Sequence, residues 1–311
     1  MKLKSLSSEN LSGSREIDRP LYALFWMGIS ALSFSAMGVF VKKLSPAIPH
    51  FELVFFRSWI NLLAVVLIVR GDRRVYFPKG IKLLIFRGLF GTGSLAGLFY
   101  TITHLPLSVA VLIGWCSPIF VYLFSWTLLG ESIRLSAFRW IAMAFVGLIL
   151  TIRPDFSAGV VSRLPLSAVL IGLVGSASAG MAYVAVRAAT AQAGVQTIIL
   201  YFVGIATLIS APIAAVQWVA PNFQQWTELL IMGGFATIGQ YMMTQGYRFA
   251  PAGIVSTMSL TAAVYSAFFG WWIFDERLDA MQILGMLILG SGIALLALSS
   301  QKMSGSKIRS N

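Results

Sequence analysis

The sequence predicts an all-α integral membrane protein in which ten transmembrane helices form two inverted five-helix repeats. Three observations carry that expectation. Of 311 residues, 58% are hydrophobic and only 11% charged, with a mean hydropathy of +0.82, against about 25% charge in an ordinary soluble domain. A chain this apolar needs lipid as its solvent. Its apolar residues fall into ten stretches, most close to the roughly 20 residues of a helical span, and helices are required because backbone polar groups must be satisfied within each segment. The chain also matches itself at an offset of 145, pairing Gly88 with Gly233, Phe90 with Phe235, Thr92 with Thr237, Pro106 with Pro251, Trp126 with Trp271, Glu131 with Glu276 and Gly147 with Gly292. Five spans per half is odd, so the second half enters from the opposite face.

Residues 1–21 are polar and lack the apolar centre and small-residue cleavage site of a signal peptide, so they read as a cytoplasmic tail. The first repeat, 22–152, holds spans at 22–41, 51–69, 81–102, 107–129 and 137–152, the last of them short. Residues 153–165, with Pro154, Gly159 and Pro165, form the linker. The second repeat, 166–298, holds spans at 166–186, 197–218, 227–247, 252–274 and 279–298, and the basic, Ser-rich residues 299–311 form a second tail. His104-Leu105-Pro106 joins spans three and four, and Phe249-Ala250-Pro251 joins eight and nine. Proline suits the first turn of a helix, where the N–H is unbonded anyway, and connections this short predict that consecutive helices are antiparallel neighbours. Gly88, Gly91, Gly93 and Gly97 in span three, and Gly172, Gly175, Ala179 and Ala182 in span six, offer small surfaces for close helix packing.

The net charge of +12 points to membrane topology rather than to nucleic acid as a partner. With the N-terminus inside, 16 of the 23 Lys and Arg fall in cytoplasmic segments and five outside, leaving Arg57 and Arg87 within spans. By the positive-inside rule both termini are cytoplasmic, in a multi-pass protein of the inner (cytoplasmic) membrane. Lys42 and Lys43 run against that bias. The single cysteine, Cys116, lies in a span and forms no intrachain disulfide.

Several stretches resemble a known family. In the first half they are Arg87-Gly-Leu-Phe-Gly, Phe99-Tyr-Thr-Ile-Thr-His-Leu-Pro-Leu-Ser-Val-Ala, Cys116-Ser-Pro-Ile-Phe and Leu128-Leu-Gly-Glu131; in the second, Gly246-Tyr-Arg-Phe-Ala-Pro-Ala-Gly-Ile-Val255 and Phe274-Asp-Glu276. A proline turn between the third and fourth helices, and GE or DE ending the fourth, resemble the EamA type of the drug/metabolite transporter superfamily over residues 22–298. The resemblance implies a secondary membrane transporter working by alternating access, with a small-molecule metabolite as cargo and export the commoner direction. Import or exchange of a cofactor-like metabolite such as S-adenosylmethionine fits the same resemblance. The halves differ: Ser117-Pro118 becomes Ala262-Ala263, and Arg87 becomes Met232.

Ionisable groups inside spans are candidates for function, because an Arg at mid-span costs about 2.5–3.5 kcal/mol even on the insertion scale. Arg57 is either a cargo site or a structural Arg that caps carbonyls or pairs with Glu52, five residues earlier. Arg87, one turn into span three, is expected to snorkel to the cytoplasmic headgroups and so to tolerate replacement by Lys. Thr237, Gln240, Tyr241 and Thr244 share one face of span eight. Their counterparts Thr92, Leu95, Ala96 and Phe99 are mostly apolar, which suggests a cargo polar on one side and apolar on the other. Tyr100, Trp115, Tyr201 and Tyr265 lie at similar depth. The substrate-binding set expected is Arg57, Tyr100, Trp115, Gln240, Tyr241, Thr244 and Tyr265, at the midplane between spans three, four, eight and nine. Glu131 and Glu276 are read as caps on the next helix rather than gates.

No carboxylate lies deep in a span, which argues against proton coupling through a mid-membrane acid, although Glu52 and His104 at helix ends keep other routes open. The only histidines are His50 and His104. No metal cluster, phosphate loop or nucleophile elbow is present, so no metal, cofactor or enzymatic activity is expected. An intramembrane enzyme and a non-transporting membrane protein remain as remote alternatives, and homodimerisation is left open.

Overall fold

The computed structural model describes residues 19–78, 80–105, 113–131, 135–152, 165–275 and 278–309. The tails 1–18 and 310–311, nearly all of the expected linker, Pro106 and Glu276 lie outside the described residues, as do Lys79, Arg134, Arg153, Arg163 and Arg277. Every regular element among the described residues is a helix. They are α1 (Pro20–Leu44), α2 (His50–Val69), α3 (Ile81–His104), α4 (Ser117–Phe124, continued by a π turn Ser125–Leu129), α5 (Leu135–Ile152), α6 (Leu166–Ala189), α7 (Val195–Val216), α8 (Phe223–Phe249), α9 (Ala252–Met258 and Thr261–Phe274) and α10 (Ala280–Arg309). A single helical turn, Arg73–Tyr76, lies between α2 and α3.

Seven of the described helices have the length and hydropathy to cross a membrane. The described part of α4 and the apolar part of α5 are shorter. At 27 residues α8 spans about 40 Å, but its Gln, Thr and Tyr residues keep it out of the apolar group. Asn222 and Gln225 form a capping box that starts it, Asn222 Oδ1 accepting from the Gln225 N–H at 2.9 Å and Gln225 Oε1 from the Asn222 N–H at 2.8 Å.

The repeat is legible in the helix ends. Leu44 and Ala189, His50 and Val195, His104 and Phe249, Leu129 and Phe274, and Leu135 and Ala280 each stand 145 apart. The fourth helix of each half is interrupted at nearly the same level, at Trp115–Cys116 and at Ser259–Leu260. The halves run oppositely. Arg19, before α1, donates its N–H to Phe249 O at 2.7 Å, whereas Arg187, near the end of α6, donates to Tyr247 O and Arg248 O at the same end of the bundle.

Packing departs from the expectation of sequential neighbours. The principal helix contacts cross between halves, α1 on α8, α3 on α6, α2 on α7, α5 on α10, α4 on α6 and α9 on α1. Burial explains this: each span is amphipathic only weakly, and the small surfaces that allow close approach match across the repeat, not along the chain. Gly97 and Gly175 sit at the α3–α6 crossing, where a Cβ added to Gly97 would lie 2.7 Å from Gly175 Cα. Gly88 and Gly91, by contrast, face Ile205 and Phe202 of α7, so α3 spreads its glycines over two partners. We expect Gly97→Ala to push α3 and α6 apart and to destabilise the fold by about 1–3 kcal/mol; a lowered thermal midpoint in detergent, with Gly93→Ala as a near-neutral control, is the check.

Lys42 and Lys43, anomalous by charge bias, lie over aromatic rings. Lys42 Nζ is 4.0 Å from the Phe274 ring centre and Lys43 Nζ is 5.9 Å from that of Phe40. Cation–π contact of this kind contributes about 0.5–1 kcal/mol at an exposed site.

Candidate functional site

A cavity of about 210 Å³ lies inside the bundle, among α1, α2, α3, α6, α7 and α8. The sequence had placed it between spans three, four, eight and nine; α4 and α9 instead pack on each other and on α6 and α1. Its walls are built in register across the repeat. Phe34 and Ala179, Met37 and Ala182, Arg57 and Phe202, and Leu95 and Gln240 all line it, and each pair is related by the offset of 145. The cavity therefore sits on the axis that relates the halves.

The lining is symmetric in position and asymmetric in chemistry. Both charged lining residues, Arg57 and Arg87, come from the first half, and no acid lines the cavity among the described residues. The Arg87 guanidinium lies 3.9 Å from the centre of the Phe202 ring, and the Arg57 guanidinium 5.9 Å from that of Phe34. Arg87 is 2% exposed, and its Nε and Nη1 have no hydrogen-bond partner. Arg57 makes no ion pair among the described residues, and Glu52 points elsewhere, to the N–H of Val219 at 3.0 Å. The alternative in which Arg57 pairs with Glu52 is thus not realised.

The expectation that Arg87 snorkels is also overturned. A helical side chain normally leans toward the N-terminus, which would carry Arg87 to the headgroups. Gly91, one turn further on, has no side chain, and Arg87 Nη1 occupies the space where its Cβ would be. The side chain lies toward the membrane interior, over Phe202. The spacing Arg87, Gly91, Ser94 and Leu95 was the signal in the sequence: a cation, a gap to receive it, then two more residues on the same face.

Of the seven site residues expected from sequence, the structure brings Arg57 and Gln240 to the cavity. Gln240 is 2% exposed and its Nε2 has no partner. The other five are not among its lining residues. Thr244 is fully buried and donates to Gln240 O at 2.8 Å within its own helix. Tyr241 packs toward α2 and α7, its hydroxyl accepting from Gln245 Nε2 at 3.2 Å. Tyr100 stacks on His104 with ring centres 4.1 Å apart. Trp115 packs on the main core at the break in α4, and the Tyr265 hydroxyl faces α1 beside Gly28. Sequence reasoning missed Phe34, Met37, Tyr183 and Phe202, because an apolar or aromatic residue on a span carries no mark of which face lines a cavity.

Gln240 gives a direct expectation. A buried amide donor without a partner costs about 1–3 kcal/mol, so Gln240→Leu, which installs the residue already present at Leu95, should raise stability while weakening binding of a polar cargo. Thermal unfolding and a binding titration on the same preparation measure both.

At the end of the bundle where α1 begins, a second polar cluster joins four helices. Arg187 Nε donates to Glu131 Oε1 at 3.2 Å, and Glu131 Oε2 accepts from the N–H of Ala252, the first residue of α9, at 2.9 Å. Arg187 Nη1 also donates to Tyr247 O at 2.9 Å and Arg248 O at 3.0 Å. Glu131 was expected to cap the next helix, whose first residues, 132–134, lie outside the described residues; its carboxylate caps α9, in the other half. Asp279 accepts from the Gln282 N–H at 2.8 Å at the start of α10.

Comparison with known proteins agrees with this architecture. The model of the EamA-like transporter family matches twice, at residues 21–153 and 166–298. The chain is 32% identical over 275 residues to the pseudopaline exporter CntI of Pseudomonas aeruginosa, covering 88% of this chain and 94% of that protein. It is 23% identical over 294 residues to an S-adenosylmethionine uptake transporter of Rickettsia bellii, covering 91% of this chain and 96% of the relative. A crystal structure shares the fold at a TM-score of 0.73, with 19% identity, 91% of this chain covered and 96% of the other. With two family matches that span both halves, a cavity on the axis between them and relatives named as transporters, the chain belongs to the EamA-like transporter family and is a secondary membrane transporter.

Proposed function

We propose that this transporter exports a small amphipathic metabolite with an anionic group, held between Arg57 and Arg87 while its apolar part lies along Phe34, Leu95 and Met243. One observation carries the reading: two guanidiniums, neither ion-paired among the described residues, face one cavity inside the bundle. Keeping such groups unpartnered in a span is costly, so a ligand anion is what the arrangement suits. The planar forks of Arg match carboxylate or phosphate oxygens in pairs. Gln240 offers a further polar contact across the axis, and the five other expected residues would act around the site rather than in it. The lining residues include no His, Cys, Asp or Glu, which supports carriage of the cargo without chemistry on it.

Export is supported by the relative named as an exporter at 32% identity. Uptake of S-adenosylmethionine, the activity named for the more distant relative, fits less well, because a sulfonium brings a fixed positive charge to a cavity that already holds two. The charge bias of 16 to five supports cytoplasmic termini in the inner membrane, with the Glu131–Arg187 cluster at the cytoplasmic end and the Glu52–Val219 contact at the outer end.

Proteoliposome counterflow tests the reading. A panel of amphipathic carboxylates should exchange and compete with one another, while organic cations should not. Competition by cations at equal or lower concentration would refute it.

A further inference from the structure

We infer that Glu52 is a proton-binding site that latches the outer end of the transporter, so that closing this end takes up a proton from the outer solution. Glu52, in the first turn of α2, is fully buried. Oε2 accepts one hydrogen bond, from the Val219 N–H at 3.0 Å, and Oε1 has no partner. An ionised carboxylate so placed would exchange its hydration for one neutral donor, which disfavours the charged form. A carboxylic acid keeps the same hydrogen bond to Val219 with no charge to desolvate.

No neighbouring charge offsets that cost. The elements around Glu52 are the outer ends of α1, α2, α7 and α8 and the connection Gln217–Asn222. Their titratable or charged groups are Lys42 and Lys43 on α1, His50 and Arg57 on α2, and Glu228 on α8; α7 near this end and the connection carry none. Glu52 forms no ion pair with any of them.

The partner is a short connection at the surface. Gln217–Asn222 is a six-residue connection between α7 and α8. Trp218 and Val219 are each more than 40% exposed, so one surface of this strap meets solvent while the other covers Glu52. The strap is held by Trp218 against Phe56 and Phe55 of α2, with ring centres 5.4 and 6.2 Å apart, and by the Val219–Glu52 hydrogen bond. Lifting it would expose the carboxyl to water, where it ionises, and the ionised form would resist closure.

The repeat supplies the comparison. The counterpart of Glu52 in the second half is Thr197, which does not titrate in this range. At that opposite end the connection after α2 is held by Tyr201, whose hydroxyl donates to Tyr76 O at 2.8 Å. The equivalent connection at that end is therefore held without a carboxyl, and the acid under the Gln217–Asn222 strap is an addition that the repeat does not require.

The test needs neither cargo nor a membrane gradient, so its failure leaves the cargo reading and the orientation untouched. In detergent at neutral pH, the infrared spectrum of the wild type should contain the carbonyl stretch of a protonated carboxylic acid, and Glu52→Gln should lose it. Hydrogen exchange of amides 217–222, measured against Glu52→Gln at each pH, reads the latch itself. Protection in the wild type should match that of the variant at low pH and fall below it as pH rises, since Gln cannot ionise. A spectrum with no protonated acid, an acid band that survives in Glu52→Gln, or a protection ratio that does not change with pH would each overturn the inference.

Discussion

Replacing Arg87 with Lys should abolish transport, and replacing it with Met, the residue at its repeat position, should do no worse. The lysine ammonium can neither lie flat over Phe202 at 3.9 Å nor present paired donors to an oxyanion. Truncating one side of a buried charge pair costs about 2–5 kcal/mol, much of it from the anion left unpaired. A loss near 3 kcal/mol is more than a hundredfold in Kd. Folding should survive, because Arg87 has no hydrogen-bond partner to abandon at Nε or Nη1 and its removal leaves Gly91 room to spare. Binding titration and thermal unfolding of Arg87→Lys check the two halves of the statement. Near-normal affinity in this variant would mean that Arg87 serves the headgroups after all.

The second large effect is expected at Glu131. Glu131→Ala removes the acceptor of both Arg187 Nε and the Ala252 N–H, leaving a cation with side-chain exposure of only 16% and an uncapped helix start. Breaking a mostly buried ion pair costs about 3–5 kcal/mol, and loss of a cap adds about 1 kcal/mol. Because the cluster joins α4, α6, α8 and α9, its loss should also free that end of the bundle to open. Thiol labelling of a cysteine at Ala250 measures this: labelling should be slow in the otherwise wild-type background and fast in Glu131→Ala. The Glu131→Ala/Arg187→Ala double variant should recover part of the stability, since the cation that lost its Glu131 partner is gone. Equal stability of the single and double variants would mean that the pair contributes little.

Much of the fold was legible in the sequence, and the reason is physical. Lipid forces each span to be a self-contained apolar helix, so length and hydropathy reveal it, and the offset of 145 recurs at helix ends from Leu44 to Ala280. That register also held a signal left unused: besides Glu131 opposite Glu276, it sets Lys42 opposite Arg187, a basic residue ending the first helix of each half. Helix neighbours were harder to read. Short loops make consecutive helices antiparallel but do not make them the tightest pairs, and Gly97 against Gly175 decides more than any loop length. The cavity lining was legible where polarity marked it, at Arg57 and Gln240. It was illegible where a residue's face depended on a gap elsewhere, as Arg87 depends on Gly91, or where an aromatic ring such as Tyr100 or Tyr265 looked the same facing lipid, core or cavity.

The central claim is that Arg57 and Arg87 together hold the cargo's negative charge. Ligand-dependent thermal stabilisation of purified protein tests it most directly, because a ligand present at 100 times its Kd stabilises the native state by about 2.7 kcal/mol. Wild type should be stabilised in a concentration-dependent way by amphipathic carboxylates, and the Arg57→Gln/Arg87→Gln double variant, equally folded, should show no shift with the same compounds. Equal stabilisation of the two proteins, or stabilisation of the wild type by cations alone, would contradict the account.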